Sequence, residues 1–188
     1  MHQPHSIESM SPTWLLPVVT LIVASSTGGI LSNALEGYND TLALDTLILS
    51  IFMVTAGLSL ALMILVIYLQ RLITHGIPAQ RSLLSVFIPL GPTGQAGISI
   101  LLIGQNVRKL LPRPNTNSYF LSSDHTPITI DICCTSVSFI LWSLATMWMI
   151  FGFLATHAGL QRFSIPFKVT SWGLVFPNVG HLSIDDEN

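Results

Sequence analysis

The side chains of this sequence that could do chemistry in an apolar setting are hydroxyls and amides, and they concentrate in two segments. The first segment contains Thr20, Ser25, Ser26, Thr27 and Asn33, and the second contains Thr93, Gln95, Ser99, Gln105 and Asn106. Together with the free N–H groups at helix breaks, such side chains present partial positive charge, which suits an anion. The same side chains also form hydrogen bonds between helices, so both roles stay open for each of them.

The other reactive residue types do not assemble into a catalytic or metal-binding set. The six histidines lie in tails, in loops or at a helix end, without ligand spacing inside an apolar segment. The serines have no base beside them. Cys133 and Cys134 are adjacent, an arrangement that rarely forms a bridge, and there is no second pair. The sequence therefore predicts no enzyme activity, no metal and no cofactor.

Charged residues are scarce and are kept out of long apolar stretches. Half of the 188 residues are hydrophobic and 9% are charged, whereas about a quarter of a soluble domain is charged. No Asp, Glu, Lys or Arg occurs between Glu8 and Glu36, Asp45 and Arg71, Arg81 and Arg108, or Asp131 and Arg162. Each gap is long enough for a helix of roughly 20 residues to cross the hydrocarbon. These gaps predict an all-α integral membrane protein, and the net charge of −2 excludes a strongly basic nucleic-acid binder.

The apolar stretches predict five membrane spans, at residues 14–35, 46–70, 83–107, 132–157 and 163–179. An N-terminal tail of residues 1–13 precedes a transmembrane region of 14–180, and a polar tail of 181–188 follows it. Polar connections are predicted between the spans, with Asp40 and Asp45 in an acidic loop after the first span.

Prolines divide the spans into two kinds. They occur in the first, third and fifth spans and are absent from the second and fourth: Pro17, Pro89, Pro92, Pro166 and Pro177. A proline frees a carbonyl group and kinks a helix, which a membrane tolerates where the helix is buried in protein or lines a cavity. The pattern predicts repeated helical hairpins with odd spans inside and even spans outside. Proline is also common in transmembrane helices generally, so no single helix decides the arrangement.

The inner spans supply the predicted lining of an anion pathway. The candidate lining residues are Pro17, Ser25, Ser26, Thr27, Pro89, Pro92, Thr93, Gln95 and Pro177. No Asp or Glu lies within the predicted spans, where a proton-coupled pump or a cation site would place one. Anion binding is therefore expected to be shallow and passage fast.

Three motifs resemble the tellurite-resistance/dicarboxylate transporter family of the voltage-dependent anion channel superfamily. WLLPVVTLIVASSTGG at 14–29 resembles its fifth helix, GPTGQAG at 91–97 its seventh, and IPFKVTSWGLVFPN at 165–178 its ninth. The family includes malate permeases, sulfite-efflux pumps, tellurite-resistance proteins and guard-cell anion channels. SILLIGQN at 99–106 and the ending FPN look most like the fungal sulfite-efflux pumps.

The resemblance implies a ten-helix fold of five hairpins, of which this chain matches helices five to nine, with the odd helices around a central pore. By its position before the WGxxFP run, Phe167 matches the gating phenylalanine of the family; on the residues alone, a phenylalanine packed between helices is the alternative. The implied function is anion transport in the plasma membrane, with sulfite first and malate or other dicarboxylates as the alternative. Bacterial members are trimers, each protomer with its own pore.

The chain departs from the family pattern in two ways. The first four helices and the tenth have no counterpart in it, and the sequence after Asn178 leaves the pattern. Because a pore made by five odd helices does not close with three, a truncated, non-transporting membrane fragment is a further expectation.

Overall fold

The computed structural model of the chain describes residues 12–76, 86–111 and 125–160. Within these ranges, a 3₁₀ turn at Pro12–Leu15 leads into the first of four α-helices, which are α1 (Leu16–Leu35), α2 (Asp40–His75), α3 (Leu90–Leu110) and α4 (His125–Leu160). None of the residues in these ranges belongs to a β-strand. The prediction of an all-α protein is confirmed. The predicted span 163–179 and the tail 181–188 lie outside the described residues.

Three of the described helices are long and apolar enough to cross a membrane: Leu16–Leu35, Asp40–Thr74 and His125–Ala158. α2 and α4 contain 36 residues each, or about 54 Å of helix at 1.5 Å per residue. Both are therefore longer than a hydrocarbon core of about 30 Å. α3 is less hydrophobic, with four glycines among its 21 residues, yet 15 of its residues are buried.

Two acidic residues predicted to lie in a loop belong to α2. The helix begins at Asp40, so both Asp40 and Asp45 are helical. Asn39 caps it, because its side-chain oxygen accepts a hydrogen bond from the Leu42 N–H at 3.2 Å. The prediction began the second span where the uninterrupted apolar stretch begins, at residue 46. The helix itself begins directly after its N-cap, Asn39.

The same difference occurs at two other boundaries. α2 continues through Arg71, predicted to lie in a polar turn, and stops before Gly76, whose φ of 74° is readily adopted only by glycine. Asp131, predicted in the connection before the fourth span, is on α4. Charged side chains do not end a helix, because they can extend into the membrane interface while the backbone keeps its hydrogen bonds.

The four helices that the structure describes form two antiparallel pairs, α1 with α2 and α3 with α4, joined mainly by contacts between α1 and α3. α1 and α3 run parallel, since Ser99 bonds to Ile22 and Asn106 bonds to Gly29, both 77 residues apart. α3 contacts all three other helices. It is thus the central helix of the described part of the chain.

Large apolar side chains are exposed on α2 and α4: Phe52, Met63, Val66, Phe139, Ile140, Phe153 and Leu154 are each 59–67% exposed. In a membrane such surfaces face lipid, which solvates them as well as a protein interior does. Exposed α2 and α4 and a buried α3 agree with odd spans inside even ones, but α1 also exposes large apolar side chains, Leu16 at 52% and Ile30 at 61%, so this arrangement stays a prediction. The numbering of the helices within a ten-helix repeat stays a prediction.

Candidate functional site

The predicted third span, 83–107, is broken near its start. Val86 to Pro89 form turns, and α3 begins only at Leu90. Pro89 is the N-cap residue, without a side-chain capping bond, and Pro89 and Pro92 are fully buried. The break therefore places the positive end of the α3 dipole in the protein interior, at a point that the predicted span assigns to the membrane.

The prolines of the described helices stand at helix starts, not in helix interiors. Pro17 is in the first turn of α1, where it is exposed, and Pro92 is in the first turn of α3. The first N–H groups of a helix have no intrahelical partner, so proline costs no hydrogen bond there. The expected kinks at Pro17, Pro89 and Pro92 are therefore not observed.

The candidate hydroxyls of α1 are all engaged in hydrogen bonds to main-chain oxygens. Ser25 is fully buried and donates to the Ser50 carbonyl of α2 at 2.7 Å. Ser26 and Thr27 donate to the Val23 carbonyl of their own helix at 2.9 and 3.0 Å. Ser26 is buried and Thr27 is exposed. These contacts place Ser25 at the α1–α2 interface, and the predicted pathway role of all three residues stays a prediction.

Thr93 and Gln95, the candidates from the early part of α3, differ in their surroundings. Thr93 is fully buried, and its Oγ1 lies 3.1 Å from the carbonyl oxygens of both Pro89 and Leu90. Gln95 is half-buried and forms no hydrogen bond with any described residue. Gln95 therefore keeps its amide donors available, whereas the Thr93 hydroxyl is used within the first turn of α3.

Polar side chains also connect the helices to one another. Four further bonds end on main-chain carbonyls of a neighbouring helix: Ser32 to Ala43 (2.9 Å), Ser99 to Ile22 (3.2 Å), Asn106 to Gly29 (2.7 Å) and Ser138 to Gly97 (2.8 Å). Because a helical carbonyl has a second lone pair, each bond adds to the backbone ladder without replacing one of its bonds. Many of the polar residues of the apolar helices thus serve helix packing.

Ion pairs tie three helices together at one end of the structure. Arg108 Nη1 lies 3.1 Å from Asp131 Oδ2 of α4. Lys109 Nζ donates to Asn33 Oδ1 at the end of α1 at 2.7 Å and lies 3.7 Å from Glu36 Oε2. The sequence alone indicated cations near this end of α3 but not their partners, because residues about 23 and 76 positions apart meet only after folding.

An apolar groove of about 870 Å³ lies between α1 and α2. Its polar side chains include Thr20 and Thr27, whose hydroxyls donate back to their own helix. Such a lining offers an anion few free donors. Within the described ranges, no three His, Cys, Asp or Glu residues are grouped to hold a metal ion. Phe167 and Pro177, the predicted gate and the last lining residue, lie outside those ranges.

Sequence comparison assigns the chain to a family. The profile of the voltage-dependent anion channel family, SLAC1, matches residues 1–183. The chain belongs to the voltage-dependent anion channel family. Membership agrees with the resemblance found in the three motifs. Together with the apolar helices, it makes the chain a multi-pass membrane protein of a transporter and channel family.

Several curated proteins are similar to this chain over most of its length. The sulfite efflux pump SSU1 of Arthroderma otae is 34% identical over 175 residues, covering 92% of this chain and 43% of the pump. The sulfite efflux pump SSU1 of Arthroderma benhamiae is 33% identical with the same coverage. An uncharacterized transporter of Methanocaldococcus jannaschii is 28% identical over 171 residues, covering 91% of this chain and 44% of that protein.

The chain thus spans less than half the length of these curated relatives. A comparison with solved structures gave no significant match.

Proposed function

We propose that the protein transports small anions across the plasma membrane of a fungal cell and that sulfite is its principal substrate. The observation that carries this proposal is the 33–34% identity to sulfite efflux pumps over 92% of the chain. Transport, not catalysis, is also the role for which the described side chains are suited, since their hydroxyls and amides have no activating base.

The chemistry of α3 supports passage of an anion. Its first 18 residues, from Leu90 to Val107, carry no charge, so no fixed cation holds an anion in the middle of the path. The buried start of α3 directs the positive end of the helix dipole into the protein, while Pro89 and Pro92 have no N–H and the Gly91 N–H donates to the Ile88 carbonyl at 3.1 Å. Weak, uncharged donors favour brief binding and rapid release.

The gate proposed for this pathway is Phe167. A phenylalanine ring in a narrow apolar pore blocks it by its volume and by excluding water. Pro177 follows in the same predicted span and is proposed to line the pathway. A homotrimer with one pore in each protomer is the proposed assembly, and the molar mass of the purified protein in detergent, measured by light scattering, tests it.

Flux measurements test the choice of substrate. The purified protein is reconstituted into vesicles loaded with sulfite, and the release of sulfite is followed with a chromogenic reagent of the kind used to detect thiols. Matched vesicles are loaded with malate. We expect saturable sulfite release that external malate does not inhibit. Saturable malate flux without sulfite flux would replace sulfite by a dicarboxylate. Absence of flux for both anions would reject transport by this chain.

A further inference from the structure

One face of α3 carries two glutamines and a lysine that the packing leaves accessible. Six residues of the whole α3 helix are not buried: Gln95, Ile98, Ile100, Gln105, Arg108 and Lys109. At about 100° per residue, Gln95, Ile98, Gln105 and Lys109 fall within an arc of about 80°. We call these four residues the α3 stripe. Arg108 and Ile100 lie outside this arc, and Arg108 is paired with Asp131 of α4.

The glutamines of the stripe differ from the other polar residues of α3 in their hydrogen bonding. Thr93, Ser99 and Asn106 are buried, and each donates to a main-chain carbonyl. Gln95 and Gln105 are half-buried and form no hydrogen bond with any residue that the structure describes. A primary amide has two N–H donors. The α3 stripe therefore keeps amide donors available for a ligand.

Lys109 brings a cation to one end of the stripe. Its ammonium donates to Asn33 Oδ1 at 2.7 Å and lies 3.7 Å from Glu36 Oε2. Because an ammonium has three N–H donors, a third donor remains after both contacts. Gln105 precedes Lys109 by four positions, so the Cβ atoms of the two residues lie about 6 Å apart on the same helix face. An oxygen-rich anion can accept hydrogen bonds from both at once.

We propose that Gln105 and Lys109 form a binding site, which we call a binding step, for a small oxyanion, sulfite or hydrogen sulfite, along the transport pathway. This inference rests on the proposed function and identifies residues that contact its substrate. Gln95 stands on the same face about 15 Å towards the start of α3 and forms the next polar step. Glu36 offsets part of the Lys109 charge, so the anion binds weakly enough to leave again.

The same arrangement discriminates against dicarboxylates. A C4-dicarboxylate carries two charged ends, and the stripe contains one cation. Arg108, the neighbouring cation, faces α4 and is engaged by Asp131. Binding a second carboxylate there would break that ion pair, whereas a small oxyanion fits the single step formed by Gln105 and Lys109.

The experiment combines a binding measurement with a flux measurement on the purified protein. Binding is followed by the rise in Tm with sulfite concentration in detergent, and flux by the KM for sulfite in vesicles. The test variants are Gln105→Leu and Lys109→Gln. The matched controls are Gln70→Leu, an exposed amide on α2, and Arg108→Gln, the adjacent cation outside the stripe. Lys109→Arg keeps the charge, and the Tm without sulfite verifies folding of every variant.

We expect Gln105→Leu and Lys109→Gln to raise the dissociation constant and the KM for sulfite about tenfold, the low end for a hydrogen bond to a charged group at a partly solvated site. Both control variants and Lys109→Arg should stay within about twofold of the wild type. Unchanged affinity and KM in both test variants, with normal wild-type flux, would overturn the binding step and leave the proposed function intact. If the wild type binds sulfite, the test variants weaken that binding and no variant transports sulfite, the binding step is supported and the proposed transport function is rejected. A wild type that neither binds nor transports sulfite would reject both.

Discussion

Asn106 Nδ2 of α3 donates to the main-chain oxygen of Gly29 of α1 at 2.7 Å, and both residues are buried. Ser99 repeats the contact two turns earlier with the Ile22 carbonyl. Because both acceptors belong to the backbone, these bonds fix how far α3 is shifted along α1. The register of the two parallel helices is therefore set by uncharged polar groups within an otherwise apolar interface.

Replacing Asn106 should weaken the α1–α3 contact. Asn106→Ala removes one buried hydrogen bond and leaves the Gly29 carbonyl with its helical partner, so we expect a loss of about 0.5–2 kcal/mol in the free energy of unfolding. Unfolding in detergent measures the change. The matched control is Gln105→Ala, the preceding residue, which is half-buried and without a described hydrogen-bond partner. Equal effects of both substitutions would contradict a special role of the Asn106 bond.

Gly104 permits the close approach of α3 and α4. A Cβ atom at this position would lie 2.8 Å from Cys134 Cβ and 3.1 Å from Asp131 Oδ1. Gly104→Ala should therefore push the two helices apart and lower the free energy of unfolding by about 1–3 kcal/mol. Ser136→Ala, an exposed position on α4 whose hydroxyl bonds only to its own helix, should change it by less than about 0.5 kcal/mol. A Gly104→Ala protein as stable as the Ser136→Ala protein would show that the interface is not tightly packed.

The helical membrane class could be predicted from the sequence because it depends on charge-free length, which is a local property. Helix boundaries could not, since the prediction stopped at charges such as Arg71 and Asp131, and the real ends are set by caps and backbone angles. The expected kinks at Pro17 and Pro92 failed for a related reason. A proline in a sequence does not reveal whether it stands in the first turn of a helix or in its interior.

The polar residues of the predicted lining show how far a sequence alone can assign a site. Their type was compatible with both an anion pathway and helix packing, and only tertiary contacts could separate the two. Ser25 is buried in a bond to α2, whereas Gln95 keeps its amide free of described partners. The ties of Lys109 to Asn33 and Glu36 had no sequence signal, because they join residues more than 70 positions apart.

The gate hypothesis predicts a gain of conductance. Phe167→Ala removes the ring proposed to block the pore, so the anion conductance at a fixed driving force should rise at least severalfold. The matched control is Phe52→Ala, which removes a ring from the lipid-exposed surface of α2 and should leave the conductance unchanged. Currents are recorded in bilayers containing equal amounts of each protein. Equal conductance of the Phe167→Ala and wild-type proteins would assign Phe167 to helix packing.

The most direct test of anion passage is the reversal potential of the wild-type protein in a planar bilayer with a tenfold sulfite gradient. At a pH where hydrogen sulfite, a monovalent anion, dominates, we predict a current that reverses near 60 mV in magnitude, with the sign of an anion moving down its gradient. The reversal potential should not move when a pH gradient is added that keeps hydrogen sulfite dominant on both sides. Absence of a sulfite current, or a reversal potential that follows the proton gradient, would contradict anion passage that is not coupled to protons.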